Sequence, residues 1–261
     1  MKISPETLCA MKLRGEKIAA LTAYDFMTAQ IMDEAGIELI LVGDSLGVVV
    51  LGYENTLPVT MEELLHHTRA VARAKPRALI VGDLPFRSYE TLEQARHNAS
   101  QFQLAGADAV KLEGGVAVAE RVAALTPRVP VLGHIGLLPQ SVPAGAGFRV
   151  HGRTAESAAQ LVRDAQAIEQ AGAFALVIEC TVAEVARAIT AAVKIPTLGI
   201  GAGNGCDGQI LVSSDMLGQF TRFTPKHAKR YANLAAEMRR AFLAYREEVE
   251  TGKFPDPDHS F

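Results

Sequence analysis

The chain has 261 residues, about half of them hydrophobic, with 26 basic residues against 29 acidic ones and a net charge of −3. That length suits one α/β barrel, and the mixed charge excludes a basic nucleic-acid surface and a polybasic membrane segment. Three cysteines (Cys9, Cys180, Cys206) without a CxxC spacing exclude a disulfide frame or a zinc ribbon. With no apolar leader in Met1–Glu6 and no membrane-length apolar run, the cytoplasm is the expected compartment.

Ser4-Pro5 opens a helix to about Arg14, Ser as N-cap and Pro at the first helical position. It precedes the first strand, Ile18–Ala23, so it is expected under a barrel floor. Met27–Ala35 reads as a helix ended by Gly36, and Leu39–Val42 as a strand buried on both faces. Asp44 and Ser45 follow at its exit. Leu46–Thr60 is too long for a tight connection and reads as a functional loop. Thr60 then caps a helix, with Glu63 in the capping-box position.

Arg77–Gly82 is the third strand, closed by Asp83, and Thr91 with Gln94 predicts a second capping box on a helix to Ala105. Asp108–Leu112, carrying Lys111 and closed by Glu113, is the fourth strand. A helix over Val116–Leu125 leads to the fifth, Pro130–Leu132, closed by Gly133-His134. Ile135–Arg153, rich in glycine, reads as a loop and a candidate lid. Thr154 caps a helix to Gln170. Ala173–Ile178 is the sixth strand, closed by Glu179, with Thr181 and Glu184 as a third capping box. Ile195–Ile200 and Gln209–Val212 are the last strands. Thr224-Pro225 is expected to start a long helix to about Thr251, followed by a loop over Phe254–Phe261.

Three units repeat one phrase of helix, Ala-Gly, short strand and acid. They run from Ala35-Gly36 to Asp44, Ala105-Gly106 to Glu113, and Ala171-Gly172 to Glu179. Alternating β and α with uniformly buried strands predicts a parallel sheet, and eight such strands predict a closed (β/α)8 TIM barrel in one domain spanning 1–261. A glycine run after strand seven, not strand one, argues against a dinucleotide fold.

In such a barrel the catalytic face lies at the carboxyl ends of the strands. Asp25, Asp44, Asp83, Glu113, His134 and Glu179 are expected there, with Lys111 as the single close cation. Several acids and one lysine repel one another unless something positive binds. Hard oxygen donors without Cys or paired His ligands suit Mg²⁺, with Asp44 and Asp83 on consecutive strands converging on it. An acid off the metal is then free to act as base on a carbon acid beside a carbonyl. Glu179 is the candidate, since Ile178 and Cys180 on either side suggest an apolar setting.

Five ordered motifs carry a resemblance. They are Val42-Gly-Asp-Ser-Leu-Gly47, Gly82-Asp-Leu-Pro-Phe86, Lys111-Leu-Glu-Gly-Gly115, Gly133-His-Ile-Gly136 with Pro139-Gln-Ser141, and Ile200-Gly-Ala-Gly203 with Cys206-Asp-Gly-Gln209. Together, over nearly the whole chain, they resemble the ketopantoate hydroxymethyltransferase family. The resemblance implies a barrel of the phosphoenolpyruvate/pyruvate type, Mg²⁺, and 5,10-methylenetetrahydrofolate as co-substrate. It implies hydroxymethyl transfer to 3-methyl-2-oxobutanoate through an enolate, and a homo-oligomer, commonly a homodecamer. By motif, Asp44 and Asp83 would hold the metal with Glu113 beside it. Asp44, Ser45, Asp83, Lys111 and His134 would bind the 2-oxo acid, and Glu179 would be the base. Leu138 and Thr181-Val182 depart from the family's usual Thr and Val-Pro.

Plainer readings stand beside these. Asp44 and Asp83 could cap helices, Glu113 could pair with Lys111, and His134 could be a satisfied core histidine. His66 and His67 read as surface residues, Gly199–Gly205 as a tight turn, and Cys180 as an inert thiol. The rival activities are a carbon–carbon lyase or phosphonomutase on the same barrel, which often carries a loop cysteine absent from Leu46–Thr60, and a catalytically silent barrel.

Overall fold

A computed structural model describes residues 2–142 and 149–261. Eight parallel strands, β1 (Ile18–Thr22), β2 (Leu39–Val42), β3 (Leu79–Asp83), β4 (Ala109–Glu113), β5 (Val131–Gly136), β6 (Ala175–Glu179), β7 (Thr197–Ile200) and β8 (Gly208–Leu211), pair in chain order. β8 pairs back onto β1, so the barrel is closed. Helices α1 (Pro5–Arg14), α2 (Phe26–Glu34), α3 (Leu46–Val49), α4 (Met61–Arg73), α5 (Leu92–Leu104), α6 (Ala119–Leu125), α7 (Ala155–Gln170) and α8 (Ala183–Ala192) precede or alternate with the strands. β2 keeps the expected bounds and the other strands run within two residues of theirs, except β5, which continues to Gly136 through residues expected in the loop. Residues 143–148 of the expected lid lie outside the described residues.

Strand parity sets what points where. Side chains alternate faces along a strand, so odd and even positions part company. Leu39, Leu41, Leu79, Val81, Ala109, Leu132, Ala175 and Val177 pack together inside the barrel, joined by Leu8 and Met11 of α1. Ile40, Val42, Ile80, Val110, Leu112, Val131, Leu176 and Ile178 pack outward among the helices. The interior is therefore a filled apolar plug with α1 as its floor. Asp83, Lys111, Glu113, His134 and Glu179 share the inward parity and come next above the plug. On the outer face Gly82 is required, because a Cβ there would run into the Phe102 ring.

Local signals fare unevenly. Ser4 caps α1, and the Thr60–Glu63 box on α4 is complete, the Glu63 carboxylate accepting from the Thr60 amide at 2.8 Å. Thr91 caps α5, but the Gln94 side chain accepts from Glu90 N–H instead of closing the box on Thr91. The third box does not form. Thr181 Oγ1 donates to the Glu179 carbonyl at 3.0 Å, and Val182 enters α8 without a side-chain cap.

Lys12 holds the floor. Its ammonium donates to the carbonyls of Thr190 (3.1 Å), Val193 (3.0 Å) and Ile195 (2.9 Å) at the end of α8, and pairs with Asp207 at 2.9 Å. Lys12→Met strands those acceptors and a half-buried carboxylate. A loss of about 2–3 kcal/mol in urea unfolding is expected.

Val212–Phe261 forms a separate compact unit. It contains α9 (Ser213–Met216) and α10 (Leu234–Glu250). The long helix expected from Thr224-Pro225 starts ten residues late. Pro225–Ala228 closes only a turn, the Tyr231 amide donates to the Met216 carbonyl, and the helix begins at Leu234, whose amide donates to the Leu217 carbonyl. The tail expected as loop holds a short 3₁₀ turn at Pro257–His259.

Candidate active site

The carboxyl ends of β2 to β6 bring most of the predicted residues into one chain of contacts. Asp44 lies two residues past the end of β2, and its backbone amide donates to Asp83 Oδ2 at 3.1 Å. Both Asp83 oxygens accept from Lys111 Nζ at 2.9 Å. Lys111 also reaches Glu113 Oε1 at 3.4 Å. Glu113 Oε1 lies 3.4 Å from His134 Nδ1, and His134 Nε2 lies 3.1 Å from Glu179 Oε2. Neither His134 contact has the alignment of a directed hydrogen bond, so both are ion-pair contacts of a cationic ring. The side chains of Asp83, Lys111, Glu113 and His134 are at most 5% exposed, whereas that of Glu179 is 15% exposed. Glu179 is the member that solvent or a substrate reaches most readily.

Burial sets the charge states. Burial and then the Asp83 charge push the Asp44 carboxyl up, against the Lys111 cation. Burial also raises Asp83, opposed by two 2.9 Å bonds from Lys111. Glu113 is held well below the usual range despite burial, by Lys111, by His134 and by the Gln140 amide at 3.0 Å. For His134, burial and Lys111 favour the neutral ring, but Glu113 and Glu179 prevail and lift it to about 9.

That lift has a stability consequence. The folded protein holds the His134 proton up to about pH 9, while the unfolded chain releases it near 6.5. The stabilisation is therefore complete below about pH 6.5 and is lost as pH rises toward 9. Wild-type protein should lose urea-unfolding stability between pH 6 and pH 9, and His134→Gln should lose less.

Three buried acids and Glu179 face one lysine and one imidazolium, a net negative cluster of the kind that takes up a cation. Among the described residues no three His, Cys, Asp or Glu side chains form a metal-holding group. The hard oxygens of Asp44 and Asp83, which lie together at the ends of neighbouring strands, are donors of the kind that would suit an ion keeping water and substrate oxygens about it.

Other expectations are corrected or refined. Asp25 is not in the cluster. It caps α2, accepting from the Thr28 amide at 2.9 Å, and is exposed. The setting of Glu179 is not apolar, because His134 stands against it. His67 is not free on the surface, its Nδ1 lying 2.6 Å from the Tyr24 carbonyl. Ser45 meets the Tyr24 hydroxyl at 2.8 Å. Burial and the Glu179 charge push the Cys180 thiol up to about 11, so it is no thiolate nucleophile. Tyr24, Tyr89 and Gln140 were not singled out from sequence. Gln140 is 3% exposed and touches Asp44, Glu113 and Tyr89 together.

The fold is shared with 2,3-dimethylmalate lyase, a PEP mutase/isocitrate lyase superfamily member (TM-score 0.61, 16% identity, 99% of this chain and 93% of that one). It is also similar to phosphonopyruvate hydrolase (TM-score 0.64, 16% identity, 98% and 93%). At that identity the likeness speaks for the barrel alone. The family model for ketopantoate hydroxymethyltransferase matches residues 2–257. The chain belongs to the ketopantoate hydroxymethyltransferase family. The 3-methyl-2-oxobutanoate hydroxymethyltransferase of Syntrophus aciditrophicus is 56% identical over 100% of this chain and 97% of its own length. That of Moorella thermoacetica is 54% identical over 100% and 98%. Membership of a hydroxymethyltransferase family sets aside the lyase and phosphonomutase rivals. No helix among the described residues is long and apolar enough to cross a membrane.

Proposed function

We propose that this chain transfers a hydroxymethyl group from 5,10-methylenetetrahydrofolate to 3-methyl-2-oxobutanoate, giving 2-dehydropantoate and tetrahydrofolate with consumption of one water. The observation that carries this reading is family membership along essentially the full length. The charged chain from Asp44 to Glu179 is consistent with the chemistry the reaction needs.

The reaction begins by removing a proton from C3, next to a ketone. Glu179 is the base in this reading, since it is the most exposed acid of the chain and is steadied from behind by His134. His134 in turn is flanked by Glu113, which keeps the ring cationic and oriented. Lys111 bonds both Asp83 oxygens and, with Ser45, gives the mouth the donors that suit the substrate carboxylate. Asp44 and Asp83 would hold Mg²⁺, with Glu113 beside it through water. When bound, the metal polarises the ketone and stabilises the charge that develops on loss of the proton. C3 then bonds the methylene carbon as one of its two C–N bonds to the folate breaks, the proton taken by Glu179 passing to the freed nitrogen. Water cleaves the second C–N bond, its hydroxyl staying on the new carbon and its proton going to the other nitrogen. A cytoplasmic homo-oligomer, decameric as in the resemblance, completes the reading.

The test is formation of 2-dehydropantoate with each component omitted in turn. Product only when Mg²⁺ and methylenetetrahydrofolate are both present is the expected result. Product formed at full rate without the folate would overturn the proposed donor, and at full rate without metal the proposed ion.

A further inference from the structure

We propose that Gln140 is a positioning residue for the metal, an uncharged clamp that sets the Asp44 carboxylate in place. This rests on the Mg²⁺ reading above. Gln140 stands on the 3₁₀ turn Pro139–Ser141, which follows β5, and is 3% exposed. Its side-chain nitrogen donates to Asp44 Oδ2 at 3.0 Å and to the Leu84 carbonyl at 3.0 Å. Its side-chain oxygen accepts from the Tyr89 hydroxyl at 2.7 Å. Its backbone amide donates to Glu113 Oε2 at 3.0 Å.

The amide can face only one way. Leu84 O accepts and cannot donate, so the nitrogen must lie toward it. The Tyr89 hydroxyl then supplies a proton to the oxygen, and the second N–H is left pointing at Asp44. Both amide protons are used, which fixes the rotamer of a side chain that is otherwise flexible. The clamp thus engages one defined oxygen of the carboxylate, Oδ2. A lysine or arginine at this position would bring a charge and compete with the ion for Asp44. An amide steadies the carboxylate without neutralising it. Carboxylates that hold metals are commonly steadied by such hydrogen bonds, whose loss costs about 10–100-fold in affinity or activity.

Gln140→Met keeps the volume and the backbone N–H to Glu113 and removes only the clamp. Binding of Mn²⁺, as a probe for Mg²⁺, is measured by electron paramagnetic resonance on wild type, Gln140→Met and Tyr89→Phe, with a thermal melt of each. A Kd about 10–100-fold weaker in Gln140→Met is expected. In Tyr89→Phe, where one neutral hydrogen bond is lost, about fivefold is expected. A merely structural glutamine would lower the melting temperature and leave the Kd unmoved, which overturns the assignment. If Gln140→Met does not fold, Tyr89→Phe decides, and a wild-type Kd in it overturns the clamp. Wild-type protein that binds no Mn²⁺ overturns the metal reading itself, a result distinct from a variant that binds as wild type does.

Discussion

Replacing Glu179 with glutamine is expected to lower kcat by about 10²–10⁴-fold while Mg²⁺ and 3-methyl-2-oxobutanoate still bind. The substitution keeps the shape of the side chain and removes the group proposed to take the C3 proton. Lys111, Asp83 and Asp44 are bonded to one another and not to Glu179, so the rest of the cluster stays together. His134 keeps Glu113 as a partner. The measurement is steady-state kinetics beside calorimetric binding of metal and oxo acid. A kcat within threefold of wild type would remove Glu179 from the base role.

Lys111→Met is expected to cost about 3–5 kcal/mol, the penalty for removing one partner of a buried ion pair. Among the described residues Lys111 is the only ammonium against Asp83 and Glu113, all three being nearly inaccessible. Without it Asp83 keeps the Asp44 amide, and Glu113 keeps His134 and the Gln140 amide, none of them an ammonium. Against an ordinary domain stability of about 5–15 kcal/mol, that is a large share. Asp83 is already pushed up by burial, and losing its cation pushes it further the same way. The folded variant then takes up a proton that the unfolded chain binds only at lower pH, so its deficit against wild type should shrink as pH falls toward 5. Urea unfolding at pH 5 and pH 8 reads both effects. A deficit under about 1 kcal/mol at pH 8 would mean that the cluster is not held by its charges.

Much of this architecture is legible in the chain because strand periodicity is local. Leu39–Val42 is apolar throughout, as a strand covered on both faces is, and Asp44 follows one glycine later, while Asp83, Glu113 and Glu179 close β3, β4 and β6. Counting alternate positions back from Asp83, Glu113 and Glu179 lands on Val81, Ala109 and Val177, the barrel plug. The acids of the site and the core beneath them are thus one pattern.

The setting of Glu179 was misread for the same geometric reason. Ile178 precedes it in sequence but points to the other face of the strand, so its apolar character says nothing about what Glu179 meets. The relevant neighbour is His134, one strand away and 45 positions earlier. Gln140 lay inside a stretch without periodicity, and its contact to Asp44 spans 96 positions. No spacing rule reaches across such a gap. Thr181 shows the limit of cap signatures. Its hydroxyl had a nearer acceptor in the Glu179 carbonyl, and tertiary context overrode the box.

The central claim is that Asp44 and Asp83 hold a metal at one mouth of the barrel, where Glu179 takes a proton from C3 of the oxo acid. Exchange of that proton with deuterium oxide, followed by NMR with no folate present, tests it most directly. Wild-type enzyme with Mg²⁺ should exchange the proton, chelation of the metal should stop it, and Glu179→Gln should not exchange under either condition. Exchange at the wild-type rate in Glu179→Gln, or in metal-stripped protein, would contradict it.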